Sequence, residues 1–229
     1  MKTATKSKTS TMMLGLVALI MAQGAAKAVP LTMEGVTGNL NDYVTFSIPA
    51  HGSTPAFNYS SDESMGFTTY KVGSGPLVYS FCMDPYDPST TQTENYTAVP
   101  LASGPESSFG SVAMGSTAAL AIEKLWGTYY SSARANATVA AELQLAIWTE
   151  VAESQGGTVS AVFYQTQAND MLVDSQSYSG SLPPLFAWSN NSYQDYIGVP
   201  DGGTTALLLG LGLTGVAAVR RRYFPPQRP

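Results

Sequence analysis

Cysteine and histidine are almost absent from this chain. There is one of each, Cys82 and His51. Disulfide frameworks use cysteines in pairs, so no intramolecular bridge can form, and a lone cysteine calls for intermolecular pairing, a reactive thiol or inert burial. One Cys and one His cannot build a zinc centre without unusual carboxylate ligation, so no metal and no cofactor are expected. Cations are scarce as well. Between residues 29 and 199 only Lys71, Lys124 and Arg134 stand against fifteen carboxylates, a formal net charge of −12. Such a surface repels phosphate backbones, which argues against nucleic acid as a partner, and its long-range repulsion favours solubility. No phosphate-binding glycine loop occurs, since "GGTVSA" does not match one. Asp84 and Asp87 in "MDPYDPS" could attract calcium but lack EF-hand spacing, and a solvated turn after a strand is the expectation there. No internal repeat of solenoid or propeller length is present.

Positive charge is concentrated at the two ends. Lys2, Lys6 and Lys8 precede an apolar run from Met12 to Ala22, and Ala26-Lys27-Ala28 forms a small-x-small site. This is the pattern of a secretory signal over residues 1–28, cleaved by signal peptidase after Ala28. At the other end, the uncharged segment Thr204 to Val219 is followed at once by Arg220, Arg221 and Arg222. Its sixteen residues would make about 24 Å of helix, slightly short of a bilayer core of about 30 Å, and the arginines would stay on the cytoplasmic side.

Val199, Pro200, Asp201, Gly202 and Gly203, then an apolar helix, then three arginines, resemble a VPDSG-CTERM sorting signal, a relative of the PEP-CTERM signals of Gram-negative bacteria. Gly202 stands where that family usually has serine. The resemblance implies recognition by an exosortase-type membrane protease, removal of the helix near Val199 to Gly203, transient membrane tethering, and transit to the cell surface or extracellular matrix.

What lies between, residues 29–198, has the length of one domain. Its first half reads as strands, Tyr43 to Ile48, Phe67 to Val72, Leu77 to Asp84 and Tyr96 to Leu101, rich in β-branched and aromatic residues. The period then changes to helical over Ser116 to Tyr130 and Ala137 to Ser154, with Gly156-Gly157 as a stop. A further helix in "QANDMLVDSQ" and returns to the sheet in "LFAWS" and "QDYIGV" complete the reading. The expected fold is α+β: an antiparallel β-sandwich or barrel-like domain with a helical insertion, plus the C-terminal transmembrane sorting helix.

Two residues stand out within it. At about 100° per residue, Ala140, Gln144, Ile147 and Val151 share the apolar face of the second helix, opposite Glu142, Thr149 and Glu153. A glutamine there loses its water, at a cost of about 1–3 kcal/mol unless its donors and acceptor find partners. In the strand, alternation sets Tyr79, Phe81 and Met83 on one face and Ser80, Cys82 and Asp84 on the other. Taken singly, Gln144 is a satisfied core amide and Cys82 a small buried hydrophobe.

Taken together, Phe81-Cys82-Met83-Asp84 and Gln144-Leu145-Ala146-Ile147-Trp148 resemble the thioester domains of bacterial surface proteins. That resemblance implies a bond between the activated thiol of Cys82 and the side-chain carbonyl carbon of Gln144, formed as the Gln144 amide nitrogen leaves as ammonia, with Trp148 as a shield against water. An amine or hydroxyl on another surface would then take the acyl group, once, as an adhesin or cross-linker does and a turnover enzyme does not. Two other readings compete. One is a non-reactive structural protein of the envelope or matrix with the same export signals. The other is a cysteine hydrolase pairing Cys82 with His51, which lies in the turn-like "PAHGSTP" without a family signature.

Overall fold

The structure is a computed structural model and describes residues 28–50, 56–84, 87–105 and 113–199. The signal segment, the sorting signal beyond Val199 and His51 lie outside the described residues. Among the described residues no helix is long and apolar enough to cross a membrane.

A long hairpin organises the fold. Strand β1 (Val29–Ile48) pairs antiparallel with β2 (Phe57–Val72), in register from Leu31 opposite Val72 to Ile48 opposite Phe57. Two register shifts interrupt the ladder, between Met33 and Gly35 and between Thr37 and Leu40. Gly66 faces this irregular stretch with φ +140°, and a Cβ there would stand 2.7 Å from the Thr37 carbonyl oxygen. Only glycine fits, and bulges of this kind re-aim the side chains around them.

β3 (Leu77–Ser80) adds to β2, and β4 (Thr93–Pro100) adds to the other edge of β1 at Val29 to Thr32. β5 (Thr158–Ala161) takes the far end of that same edge, at Val44 to Ser47. β6 (Phe186–Ser189) and β7 (Tyr196–Gly198) extend the sheet beyond β4, giving the order β3-β2-β1-β4-β6-β7. Its two ends meet at an isolated bridge between Cys82 and Tyr196. The fold is therefore α+β, an antiparallel sheet with three helices. The partner expected of a sandwich, a second sheet, is replaced by helices, and the ends of the sheet touch through a bridge where a barrel would have a full ladder.

The helices α1 (Gly115–Ala135) and α2 (Ala137–Ser154) follow a 3₁₀ turn at Leu101–Ser103, and α3 (Gln165–Ser175) sits between β5 and β6. Asn136 caps α2, its Oδ1 accepting from the Thr138 and Val139 amides. Gly156, at φ +72°, ends it, and the Gly156 and Gly157 amides return to the Glu153 and Ala152 carbonyls. α2 packs against α1, α3 and the β1–β2 hairpin at once. It is buried nearly all round, so Thr149, expected on the exposed face, is 3% exposed and bonds the Leu145 carbonyl.

Candidate functional site

The site begins where β3 stops. Phe81, Cys82, Met83 and Asp84 are all buried, so the strand alternation expected through Asp84 ends at Ser80. The segment instead threads between β7 and α2. On the β7 side, the Ile197 amide donates to the Phe81 carbonyl at 3.0 Å and the Met83 amide donates to the Asp195 carbonyl at 2.9 Å. Because successive peptide groups point to opposite sides, the N–H and C=O of Cys82 itself face away from β7. Among the described residues no strand pairs with Cys82 on that side, since the ladder between β2 and β3 ends at Ser80. Gln144 takes the place of one.

The Gln144 Nε2 group donates to the Cys82 carbonyl at 2.8 Å, and the Cys82 amide donates to Gln144 Oε1 at 3.2 Å. One side-chain amide thus satisfies two backbone groups that burial would leave unpaired. This accounts for glutamine on an apolar helix face: its geometry is that of a peptide group in a neighbouring strand. It also brings together the two residues singled out in the sequence, sixty-two positions apart.

Trp148 lies one turn beyond Gln144, 3% exposed, its ring edge-to-face with Phe46 at 5.6 Å between centroids. Among the described residues its indole Nε1 has no hydrogen-bond acceptor in ordinary geometry, and its interaction with the Cys82 sulfur favours the thiolate less than burial opposes it. Burial is the larger influence and pushes the thiol well above its usual range, with the nearby Asp84 carboxylate adding to it. The activated thiol expected from the sequence is therefore not what the fold sets up. Cys82 is a neutral thiol at physiological pH, free of any disulfide.

Asp84 and Asp87 are also buried, not placed in a solvated turn. Asp84 Oδ1 accepts the Asp195 amide at 2.7 Å, which fastens the Cys82 segment to the start of β7, while Oδ2 has no partner among the described residues. Burial, then the neighbouring Asp195 and Asp87, hold the Asp84 carboxyl well above the ordinary carboxylate range. Among the described residues no group of three or more His, Cys, Asp or Glu side chains is arranged to hold a metal ion.

A cavity of about 240 Å³ opens over the pair. Cys82, Gln144 and Trp148 form its buried floor, and Met33, Val36 and Thr68 contribute from around the hairpin bulge. Its rim carries the exposed Asp62, Ser64 and Ser89. Glu63 lies between, accepting a 2.7 Å hydrogen bond from the Tyr59 hydroxyl, and burial raises its carboxyl above the usual value. Sequence reasoning passed over Glu63 because "SSDESMG" reads as a polar turn. The alternation of burial from Phe57 onward, with Gly66 at the bulge, is the signal that it belongs to a strand.

Residues 198–223 match a family model described as the VPDSG-CTERM motif. That match spans Val199, Pro200, Asp201, Gly202, Gly203 and the arginines at 220, 221 and 222, and it supports an exported protein processed at the membrane through an exosortase-type system. No curated protein and no solved structure matches the chain. The likeness of the Cys82 and Gln144 segments to thioester domains thus receives no support from these comparisons.

Proposed function

We propose that this exported protein attaches covalently, once, to a surface or matrix molecule through an acyl bond made at Gln144. The observation that carries the reading is the pairing of the Gln144 side-chain amide with the backbone of the only cysteine, on the floor of a cavity that opens to solvent. The Cys82 N–H that donates to Oε1 withdraws electrons from the carbonyl group and stabilises the oxyanion formed on attack. Positioning replaces activation of the thiol, since well-oriented intramolecular reactions gain up to about 7–11 kcal/mol. Attack of Sγ on the side-chain carbonyl carbon forms the C–S bond and breaks the C–N bond. The thiol proton leaves with the amide nitrogen as ammonia. Trp148 covers the product against hydrolysis from one side. A nucleophile entering the cavity then takes the acyl group and restores the thiol, which makes the protein an adhesin or cross-linker of the cell surface or matrix and not a turnover enzyme.

A specific observation also favours a second reading. The two hydrogen bonds give the amide nitrogen and oxygen one partner each and satisfy the backbone, which is all that a non-reactive structural protein of the envelope or matrix would require. Intact mass separates the two. The attachment reading expects freshly exported protein to be lighter than its sequence by one ammonia, with no titratable thiol. The full calculated mass with one free thiol would leave the structural reading in possession.

A further inference from the structure

We infer that the end of the domain where the chain leaves β7 is a bilayer-facing surface, on which the tethered precursor rests while its sorting motif is read. The inference is independent of Cys82 and Gln144 and rests on the C-terminal signal.

The tether decides which end can face the membrane. β7 stops at Gly198, and the uncharged run begins at Thr204. The five residues from Val199 to Gly203 span at most about 18 Å when fully extended. While the uncharged run sits in the bilayer, Gly198 is held within that reach of it. β6 and β7 are antiparallel with Phe186 opposite Gly198, so the segment entering β6 lies beside the point of exit. Pro100, at the end of β4, pairs with Phe186 from the other side. One end of the sheet thus gathers Pro100, Leu182, Pro183, Pro184 and Phe186 around the exit.

The segments that form this end carry almost no charge. Fifteen carboxylates and three cations lie between residues 29 and 199, yet residues 95–105 and 175–199 contain one charged residue, Asp195, and it is buried. Glu106 comes next after Pro105 and lies outside the described residues. An exposed leucine such as Leu182, at 38%, is ordinary by itself. Its place on an uncharged strap beside a membrane tether is not. A carboxylate pressed against headgroups loses water and is repelled by anionic lipid, so an acidic domain approaches a bilayer closely only through an uncharged face. The charged side chain bonded to this strap is a cation, Lys124 of α1, whose Nζ donates to the Gln176 carbonyl at 3.2 Å.

The surface is also preformed. The Tyr178 hydroxyl donates to the Ser181 carbonyl at 3.0 Å, and the Leu185 amide donates to the Pro183 carbonyl at 2.9 Å. Leu185 is buried, and the two prolines before it have a fixed φ. The Phe186 ring lies over Gly198 so closely that no Cβ fits there. Side chains presented in this way lose little freedom on meeting lipid. Val162 and Phe163 are the rival patch, since they are more exposed, at 64% and 69%. They follow β5, however, which pairs with the end of β1 farthest from β4 and from the exit.

The test adds one tryptophan to the full chain, held in vesicles of phosphatidylethanolamine and phosphatidylglycerol doped with dibrominated phosphatidylcholine, whose bromines quench indole fluorescence. Leu182→Trp marks the inferred face and Phe163→Trp the rival, with the wild-type chain as background for the native tryptophans. The added fluorescence of Leu182→Trp should be quenched at least about twofold more than that of Phe163→Trp, as a side chain reaching about 5–10 Å into the headgroup boundary requires. Equal quenching would mean a domain with no preferred face, and stronger quenching of Phe163→Trp would mean docking through the other end. Quenching of neither would mean that lipid is not the partner of the uncharged end, leaving the protease as the candidate. Each of these overturns the inference while the sorting signal stands. A full chain that does not stay with the vesicles removes both.

Discussion

At the scale of single residues, the account turns on what Gln144 does for the backbone of Cys82. Replacing Gln144 with alanine strands a buried N–H and a buried C=O and opens a hole at the cavity floor. Replacing Cys82 with alanine keeps both hydrogen bonds. Gln144→Ala should therefore be less stable than Cys82→Ala by about 2–3 kcal/mol in chemical denaturation, although neither variant can form the bond. Equal stabilities would show that the amide contributes nothing as a strand surrogate. Glu63 was out of reach of sequence reasoning for a local reason, since the burial of a carboxylate in a polar run depends on a bulge set by glycines across the hairpin. Cys82 and Gln144 were legible because a lone exported cysteine and an amide on an apolar helix face are each costly without compensation.

At the scale of elements, helix ends carry much of the specification. Asn136 caps α2, and its replacement by alanine should cost about 1 kcal/mol in thermal or chemical unfolding. α3 has a less obvious device. Asp42 of β1 is 1% exposed, and its two oxygens accept the amides of Val162, Phe163 and Tyr164, the three residues leading into the helix. An anion there satisfies orphan N–H groups and complements the positive end of the helix. Asp42→Ala should remove protection from hydrogen exchange at those three amides and destabilise the domain by about 2–3 kcal/mol, whereas unchanged protection would mean the contact is incidental. The α2 boundaries were readable from Ala137 to Ser154 because a cap, a periodic run and a double glycine all agree. The first half of β1 and of β2 was not, because "TMEGVTGN" and "NYSSDESMG" carry polar and glycine residues that read as turns. Their strand character comes from pairing with each other along the hairpin, a long-range cause that composition does not record.

At the scale of the whole molecule, buried acidic groups set how stability depends on pH. Burial raises the carboxyl groups of Asp84, Glu63, Glu123, Glu142 and Glu150 above their unfolded values. The folded chain therefore binds these protons more tightly than the unfolded chain does. Their stabilising contribution is full below the ordinary carboxylate pKa of about 4 and is lost as pH rises through the raised values. The melting temperature should be higher near about pH 5 than near about pH 8, and Asp84→Asn should flatten that difference. A melting temperature that falls steadily on acidification would contradict this assignment. The C-terminal signal makes its own prediction: co-expression with an exosortase-type protease should yield a mature chain ending between Val199 and Gly203, and an uncut chain would contradict it. The claim on which the function depends is met most directly by the mass of the exported chain before and after methylamine, beside Cys82→Ala. The account predicts a deficit of one ammonia, then a methylamine adduct mapping to Gln144 and absent from the variant. A full mass, unchanged by methylamine and with Cys82 titrating as a free thiol, would contradict it.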